Sequence, residues 1–177
     1  MFMGIVMKTL YLLRHAKSSW GDSALADHDR PLNDCGKNAA HRIGAFLREG
    51  GHIPDLVLCS TAARTRQTLS TLVDEWDVEP AIDWDGDLYL TGPHQMLDLL
   101  RAVPDTVESV LMIGHNPGTA ILADVLCGDG DEVGLNHMRT KFPTAGLAII
   151  KLQVDRWEET QSDCGHLQSF TRPRELV

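Results

Sequence analysis

The chain has 177 residues, a formal net charge of −9 at pH 7 and 43% hydrophobic residues. This length and composition suit one domain with a substantial core, and the acidic balance argues against a nucleic-acid-binding surface, which normally carries excess basic charge. The sequence contains no apolar run close to the roughly 20 residues that a membrane-spanning helix needs. An anionic substrate would therefore need a locally positive pocket on a negatively charged protein.

The apolar start of the chain lacks the basic leader and the small-residue cleavage site of a signal peptide. Two alternatives stay open for residues 1–6: a disordered extension, or a segment that precedes an alternative start at Met7. The cysteines form neither a C-x-x-C pair nor a zinc-binding spacing, so we expect reduced thiols in a cytoplasmic protein. Residues 1–177 are expected to form a single domain.

Apolar runs of strand length recur along the chain, and they do not alternate with polar residues. Such runs are typical of strands that are covered on both faces, as in a parallel sheet. The predicted strands are residues 9–13, 56–59, 110–113 and 147–152, with a further strand near 167–170.

Helical patterns lie between these strands, with capping residues before them and glycine or proline after them. The predicted helices begin at Asn33 or Asp34 and end at Gly50, follow Ser60 as far as Trp76, run from Pro93 to Val103, and run from Pro117 to Leu126. Alternating strands and helices predict an α/β fold, a three-layer α/β/α sandwich with a mainly parallel sheet. Residues 128–141 and the segment after Asp155 carry no clear pattern.

Polar side chains follow three of the predicted strands at their carboxyl ends, where open α/β sheets bind ligands. These side chains are Arg14 and His15, Ser60 and Arg64, and His115 and Asn116. If the three strands are neighbours in the sheet, two histidines and two arginines surround one hollow.

Such a hollow would suit a phosphoryl dianion. Two guanidinium groups offer forked donors that match phosphate oxygens, and the helices after Ser60 and Asn116 would add N-terminal amides. A histidine at the centre could attack phosphorus through one ring nitrogen. Its other ring nitrogen would donate to a backbone carbonyl and so set the tautomer.

Three motifs at these positions resemble the histidine phosphatase superfamily, which has the phosphoglycerate-mutase-like fold. They are "LRHAKSS" (13–19), "SxxxRxxQT" (60–68) and "GHNPG" (114–118). Further stretches are similar to the SixA-type phosphohistidine phosphatase group: "DHDRPLNDCG" (27–36), "PDLVLCS" (54–60), "LYL" (88–90), "KFPTAGLAII" (141–150) and "RPREL" (172–176). The similarity runs in order from about Met7 to Leu176.

The resemblance implies a role for each matching residue. His15 would be the nucleophile that becomes phosphorylated, and Arg14, Arg64 and His115 would bind the phosphoryl oxygens. Ser18 matches a small hydroxyl residue at the rim of the pocket. No metal or other cofactor is expected, because the arginines and His115 would supply the positive charge.

Three more residues are candidates for substrate binding: Arg30, Ser60 and Asn116. For Arg30 two alternatives stay open, since its side chain could reach the substrate or could pair with Asp27 or Asp29.

Many larger members of the superfamily carry a carboxylic acid that protonates the leaving oxygen. The matching region here reads "WDGDLYL" (84–90), so Asp85 and Asp87 are the candidate proton donors, although neither aligns clearly with that position. An alkoxide leaving group needs a proton donor, whereas imidazole, with a pKa of roughly 6.5, needs far less help. Weak acid assistance favours a phosphoramidate such as phosphohistidine over an alkyl monoester.

The sequence therefore predicts a metal-independent phosphatase that works through a phosphohistidine enzyme intermediate. Its expected substrate is phosphohistidine on a signalling protein such as a phosphotransfer domain, with inorganic phosphate as product and without nucleic acid or membrane partners. The short span between Arg64 and His115 leaves little chain for a lid, which favours an open pocket. The alternatives are a small-molecule phosphomonoesterase for a sugar phosphate or nucleotide, and a phosphate-binding module without turnover. The oligomeric state stays open.

Overall fold

The computed structural model describes residues 7–176, in which a seven-stranded mixed sheet lies between two layers of helices. The expectation for residues 1–6 lies outside the described residues. The strands are Lys8–Arg14 (β1), Leu56–Ser60 (β2), Ala81–Asp85 (β3), Ser109–Gly114 (β4), Cys127–Gly130 (β5), Leu147–Leu152 (β6) and Gly165–Thr171 (β7).

The α-helices of the described residues are Asp34–Glu49 (α1), Ala63–Val73 (α2), Pro93–Arg101 (α3), Gly118–Leu126 (α4) and Glu132–Thr140 (α5). Helix α1 begins where the Asn33 side chain accepts a hydrogen bond from the Gly36 amide at 2.8 Å. Between Met7 and Leu176, no helix has both the length and the apolar character to cross a membrane.

The sheet has the strand order β3-β2-β4-β1-β6-β7-β5, and four of its six neighbouring pairs are parallel. The other two pairs, β1 with β6 and β6 with β7, are antiparallel. Strand β4 lies between β1 and β2 and is parallel to both, so the carboxyl ends of these three strands meet at one edge. The predicted three-layer, mainly parallel architecture is confirmed.

Strand β1 shows why the apolar runs are continuous. Leu10 and Leu12 belong to the core on the side of α3, α4 and α5, whereas Tyr11 and Leu13 belong to the core on the side of α1 and α2. All four side chains are buried. Because successive side chains of a strand point to opposite faces, a strand covered by helices on both faces needs apolar residues at every position.

The predicted strands and helices are all present, although several of their ends differ by one to three residues. Helix α2 ends at Val73, so Trp76 lies in the turn that follows, where its indole donates to the Gly44 carbonyl at 3.1 Å. Strand β7 is longer than the predicted 167–170.

Three elements were not predicted: β3, β5 and α5. Strand β3 lies at an edge of the sheet, and four of its five residues are exposed, so its sequence lacks the apolar run of a covered strand. Strand β5 reads "CGDG", a turn-like composition. Gly130 has a φ of 137°, and a Cβ there would lie 2.4 Å from the Leu167 carbonyl oxygen, so this strand needs glycine to pair with β7. Helix α5 follows at once, capped by Asp131.

Candidate active site

A cavity of about 710 Å³ opens at the edge where β1, β2 and β4 end, and we call it the catalytic cavity. The sequence-predicted residues that line it are Arg14, His15, Ser18, Arg30, Arg64, His115 and Asn116. Parallel pairing of β4 with both β1 and β2 explains this convergence, because it places the three strand ends side by side. Of the predicted site residues, Ser60, Asp85 and Asp87 do not line the cavity.

His15 follows β1 directly and is buried in the wall of the catalytic cavity. Its Nδ1 lies 2.7 Å from the Ala16 carbonyl oxygen, and its Nε2 lies 3.3 Å from Nε of Arg64. A carbonyl can only accept and a guanidinium can only donate, so these partners assign the proton to Nδ1 and the lone pair to Nε2. Burial, with a smaller contribution from neighbouring guanidiniums, lowers the pKa of His15 to about 4. At neutral pH the ring is therefore uncharged.

His115 faces His15 across the cavity, with 5.1 Å between the ring centroids. Burial, and then the charge on its neighbours, lowers the pKa of His115 to about 3, so this ring is also uncharged. Its Nε2 lies 2.8 Å from Oγ of Ser60. Ser60 is 0% exposed, lies behind the imidazole and does not line the catalytic cavity, so the structure does not support its predicted place among the substrate-binding residues. Its hydroxyl instead holds the orientation of His115.

Arg64 is fixed by Asp27, a residue whose sequence context predicts only a pairing with Arg30. The buried guanidinium donates from Nη1 to the Asp27 carbonyl oxygen at 2.7 Å and from Nη2 to Oδ2 at 3.0 Å. These two bonds leave Nε of Arg64 facing His15. The segment that carries Asp27 thus positions a cation beside His15.

Asp27 accepts two more hydrogen bonds. The Tyr89 hydroxyl donates to its Oδ2 at 2.6 Å, and Nη1 of Arg30 donates to its Oδ1 at 2.8 Å. The Tyr89 bond, followed by those from Arg30 and Arg64, lowers the pKa of Asp27 to about 2. The carboxylate therefore stays ionised at neutral pH and has no proton to give.

Arg30 pairs with Asp27, as one of its two alternatives predicts, and it also lines the catalytic cavity, so its contact with substrate stays a prediction. Its Nη2 donates to Oγ of Ser18 at 2.6 Å, and its guanidinium carbon lies 3.2 Å from the centroid of a Trp20 ring. Trp20 is 80% exposed and forms part of the cavity rim. Stacking and hydrogen bonds together hold the guanidinium flat at the cavity mouth.

Arg14 and Asn116 share one acceptor, because Nη1 of Arg14 and Nδ2 of Asn116 each lie 3.0 Å from the Phe142 carbonyl oxygen. Within residues 7–176, the buried side-chain atoms without a hydrogen-bond partner are Arg14 Nε, His115 Nδ1 and Asn116 Oδ1. All three belong to residues that line the catalytic cavity. Arg14 Nε is a donor, and so is His115 Nδ1 when the Ser60 hydroxyl donates to Nε2. Unpaired buried donors fit an oxygen-rich anion.

Neither candidate proton donor reaches this cavity. Oδ1 of Asp85 accepts from the Asp87 amide at 2.7 Å and caps a short turn after β3, while Asp87 is exposed. Among the residues described by the structure, Asp27 is the only carboxylate that lines the catalytic cavity. The structure thus gives no support to Asp85 or Asp87 as a donor, because local turn geometry holds the first and solvent surrounds the second.

Comparison with known proteins agrees with this geometry. A family model described as the histidine phosphatase superfamily (branch 1) matches residues 10–86. An uncharacterized protein of Mycobacterium tuberculosis is 35% identical over 164 residues, which cover 92% of this chain and 100% of the relative.

Two solved structures are also similar along nearly the whole chain. The candidate phosphohistidine phosphatase SixA of Nakamurella multipartitia is 31% identical with a TM-score of 0.80, covering 94% of this chain and 96% of the other. The candidate phosphohistidine phosphatase SixA of Agrobacterium tumefaciens is 30% identical with a TM-score of 0.77, covering 94% and 99%. The chain belongs to the histidine phosphatase superfamily and, within it, to the SixA-type group.

Proposed function

We propose that this protein is a phosphohistidine phosphatase, which transfers the phosphoryl group of a phosphorylated protein first to His15 and then to water. Membership of the superfamily supports phosphatase activity in general, with a phosphorylated substrate and inorganic phosphate as product. One observation supports the narrower substrate. The only carboxylate that lines the catalytic cavity among residues 7–176 is Asp27, and its hydrogen bonds keep it ionised. Such a cavity lacks a carboxylic acid for a basic leaving group.

In the first step Nε2 of His15 attacks phosphorus, and the bond between phosphorus and the substrate nitrogen breaks. The proton stays on Nδ1, which donates to the Ala16 carbonyl oxygen, so His15 needs no base to become a nucleophile. The distal ring nitrogen of the substrate is protonated from water, and the substrate leaves as neutral imidazole. Arg14, Arg64 and His115 stabilise the charge on the phosphoryl oxygens.

In the second step water attacks phospho-His15, and His15 leaves as the same neutral Nδ1-protonated imidazole. The low pKa of His15, set by burial, makes it a weaker base than ordinary imidazole and so a better leaving group. The leaving group is an imidazole in both steps. The cycle therefore proceeds without a general acid, which an alkyl monoester would require.

Two other functions can be distinguished from this one by experiment. A phosphomonoesterase for sugar phosphates or nucleotides would need a proton donor, and Asp85 and Asp87 lie outside the cavity. A phosphate-binding module would have no use for an uncharged histidine with its lone pair beside two arginines.

The test compares phosphate release from a histidine phosphotransfer domain, phosphorylated chemically with phosphoramidate, with release from sugar phosphates and nucleotides. We expect kcat/KM to be at least about 100-fold higher for the phosphohistidine protein, the usual size of a general-acid contribution. Equal or faster turnover of the alkyl monoesters would overturn the proposed substrate.

The matched controls are His15→Ala and His94→Ala, since His94 is an exposed histidine outside the cavity. We expect loss of turnover only in His15→Ala. Acid-labile phosphate trapped on His15 in the native chain, and detected by mass spectrometry, would support the intermediate. Unchanged turnover in His15→Ala would reject His15 as the nucleophile.

A further inference from the structure

A second cavity, of about 420 Å³, adjoins the catalytic cavity. Both cavities are lined by Lys17, Lys141, Pro143 and Thr144, so a bound chain can pass from one to the other without leaving the surface. The reaction proposed above uses none of the residues that line only the second cavity.

The second cavity is rich in basic side chains, although the protein as a whole carries a net charge of −9. The basic residues that line it are Lys17, His137, Lys141, Arg172 and Arg174, and within residues 7–176 no carboxylate lines it. Arg172 pairs with Glu175, whereas Lys17, Lys141 and Arg174 form no ion pair with any described residue. Clustered, unpaired cations repel one another and therefore favour an anionic ligand.

The rest of the lining limits what that anion can be. Ala39, Pro143 and Pro173 supply apolar surface between the charged groups, and Lys17, Lys141 and Arg174 are exposed. A compact phosphate would favour buried, pre-oriented donors such as those around His15. Exposed cations beside apolar side chains fit an extended segment that carries both carboxylates and apolar side chains.

The cationic rim is anchored to the fold at Lys17. The Asn33 amide donates to the Lys17 carbonyl oxygen at 3.0 Å, and a Cβ on Gly36 would lie 2.1 Å from the same oxygen. Only glycine allows the first turn of α1 to approach this closely. Lys17 is thus presented from a fixed backbone, two residues after His15.

We infer that the second cavity docks an acidic segment of the phosphorylated protein substrate while its phosphohistidine occupies the catalytic cavity. Carboxylates of that segment pair with Lys17, Lys141 and Arg174. This inference rests on the proposed function, since it concerns the same phosphorylated protein and names the surface that would distinguish it from other phosphorylated proteins.

Two synthetic peptides test the inference. Each carries one phosphohistidine, and they differ only in that flanking Asp and Glu residues of the first are Asn and Gln in the second. The variant is Arg174→Glu, and the matched control is Arg42→Glu, an exposed arginine of α1 that lines neither cavity.

In the native chain we expect KM to be about tenfold lower for the acidic peptide than for the neutral one, and high salt should shrink this difference. Arg174→Glu should raise KM for the acidic peptide about fivefold while leaving the neutral peptide and p-nitrophenyl phosphate unchanged. Arg42→Glu should change none of the three. Equal KM values for the two peptides, or equal effects of the two variants, would overturn the inference.

Failure of the proposed function gives a different result, because then neither phosphopeptide is turned over. In that case the fluorescence anisotropy of a labelled, unphosphorylated acidic peptide measures binding to the second cavity without turnover. Weaker binding to Arg174→Glu than to Arg42→Glu supports the docking site, and equal binding rejects it. If turnover of a sugar bisphosphate, and not of the acidic peptide, depends on Arg174, the cavity holds a second phosphate and the inference is wrong.

Discussion

Oδ2 of Asp27 lies 3.0 Å from Nη2 of Arg64, and this ion pair joins two residues that are 37 positions apart in the sequence. The same guanidinium directs its Nε to Nε2 of His15 at 3.3 Å. Asp27 therefore positions the Arg64 guanidinium beside His15, and its low pKa leaves it without a proton to donate at neutral pH.

Asp27→Asn is expected to lower kcat for p-nitrophenyl phosphate by about 10- to 100-fold, because the guanidinium beside His15 loses its charged anchor. The neighbouring Asp29→Asn serves as the control, since Asp29 is exposed and does not line the catalytic cavity. Steady-state kinetics that separate kcat from KM provide the measurement. Equal kcat values for the two variants would contradict the positioning role.

Asp27, the one carboxylate that lines the catalytic cavity among residues 7–176, is ionised at neutral pH. We therefore expect the rate of phosphoryl transfer to depend steeply on the basicity of the leaving group. Across a series of aryl phosphates we expect kcat/KM to fall about fivefold or more for each unit by which the pKa of the phenol rises. A proton donor placed in the cavity should flatten this dependence.

Leu90 offers the position for that donor, because it lines the catalytic cavity and is 54% exposed. Leu90→Glu should reduce the slope, whereas Leu90→Gln, which has the same size but no acid, should not. A shallow slope in the native chain would show that some other group protonates the leaving oxygen.

The protonation of His15 can be followed directly by NMR of ¹⁵N-labelled protein between pH 3 and 8. Burial, and then the charges of Arg64, Arg14 and Arg30, oppose protonation of this ring, so we expect a titration midpoint near 4. The spectrum above that pH should show the Nδ1-protonated tautomer. His15→Gln assigns the resonance, and a midpoint near the ordinary value of about 6.5 would contradict the burial argument.

The two cavity histidines also link stability to pH. Their pKa values are lowered by burial, to about 4 for His15 and about 3 for His115, so the unfolded chain binds more protons than the folded chain below about pH 6.5. The contribution of these histidines to the free energy of unfolding is therefore fully present above about pH 6.5, and it is lost as the pH drops toward their pKa values in the folded chain. From pH 7.5 to 5 we expect a loss of about 2 kcal/mol for each histidine.

Urea unfolding at the two pH values measures that loss. The double variant His15→Gln and His115→Gln should lose less free energy of unfolding over the same interval, since its cavity no longer carries imidazoles that resist protonation. An identical loss in native and variant chains would show that other groups control the acid sensitivity.

Ser60→Ala removes the hydroxyl that contacts Nε2 of His115 at 2.8 Å. A buried polar atom left without its partner costs about 1–3 kcal/mol of stability, and the freed ring should also lower kcat about tenfold. Ser60→Cys keeps a weak donor in nearly the same volume and should lie between the native chain and Ser60→Ala. Native kinetics in Ser60→Ala would mean that packing alone orients His115.

The fold was largely predictable because it depends on local patterns. Continuous apolar runs such as residues 9–13 identify strands covered on both faces, and the helices between them begin and end at ordinary capping signals. Strands β3 and β5 lack those patterns, whereas α5 begins at an ordinary capping residue, Asp131, and could have been found from that signal. Strand β3 lies at an exposed edge of the sheet, and strand β5 owes its pairing with β7 to Gly130. Helix α5 is a short helix between β5 and β6.

Local sequence patterns were enough to predict the α/β architecture. They also placed Arg14, His15, Arg64 and His115 at the carboxyl ends of strands or just beyond them, because neighbouring residues encode where each strand begins and ends. Three relationships emerge from the folded chain alone: Asp27 anchors Arg64, Ser60 lies behind His115, and Asp85 caps a turn outside the catalytic cavity. The first two relationships join segments that are distant in the chain. They depend on the angles at which loops cross the sheet edge, and no local periodicity encodes those angles.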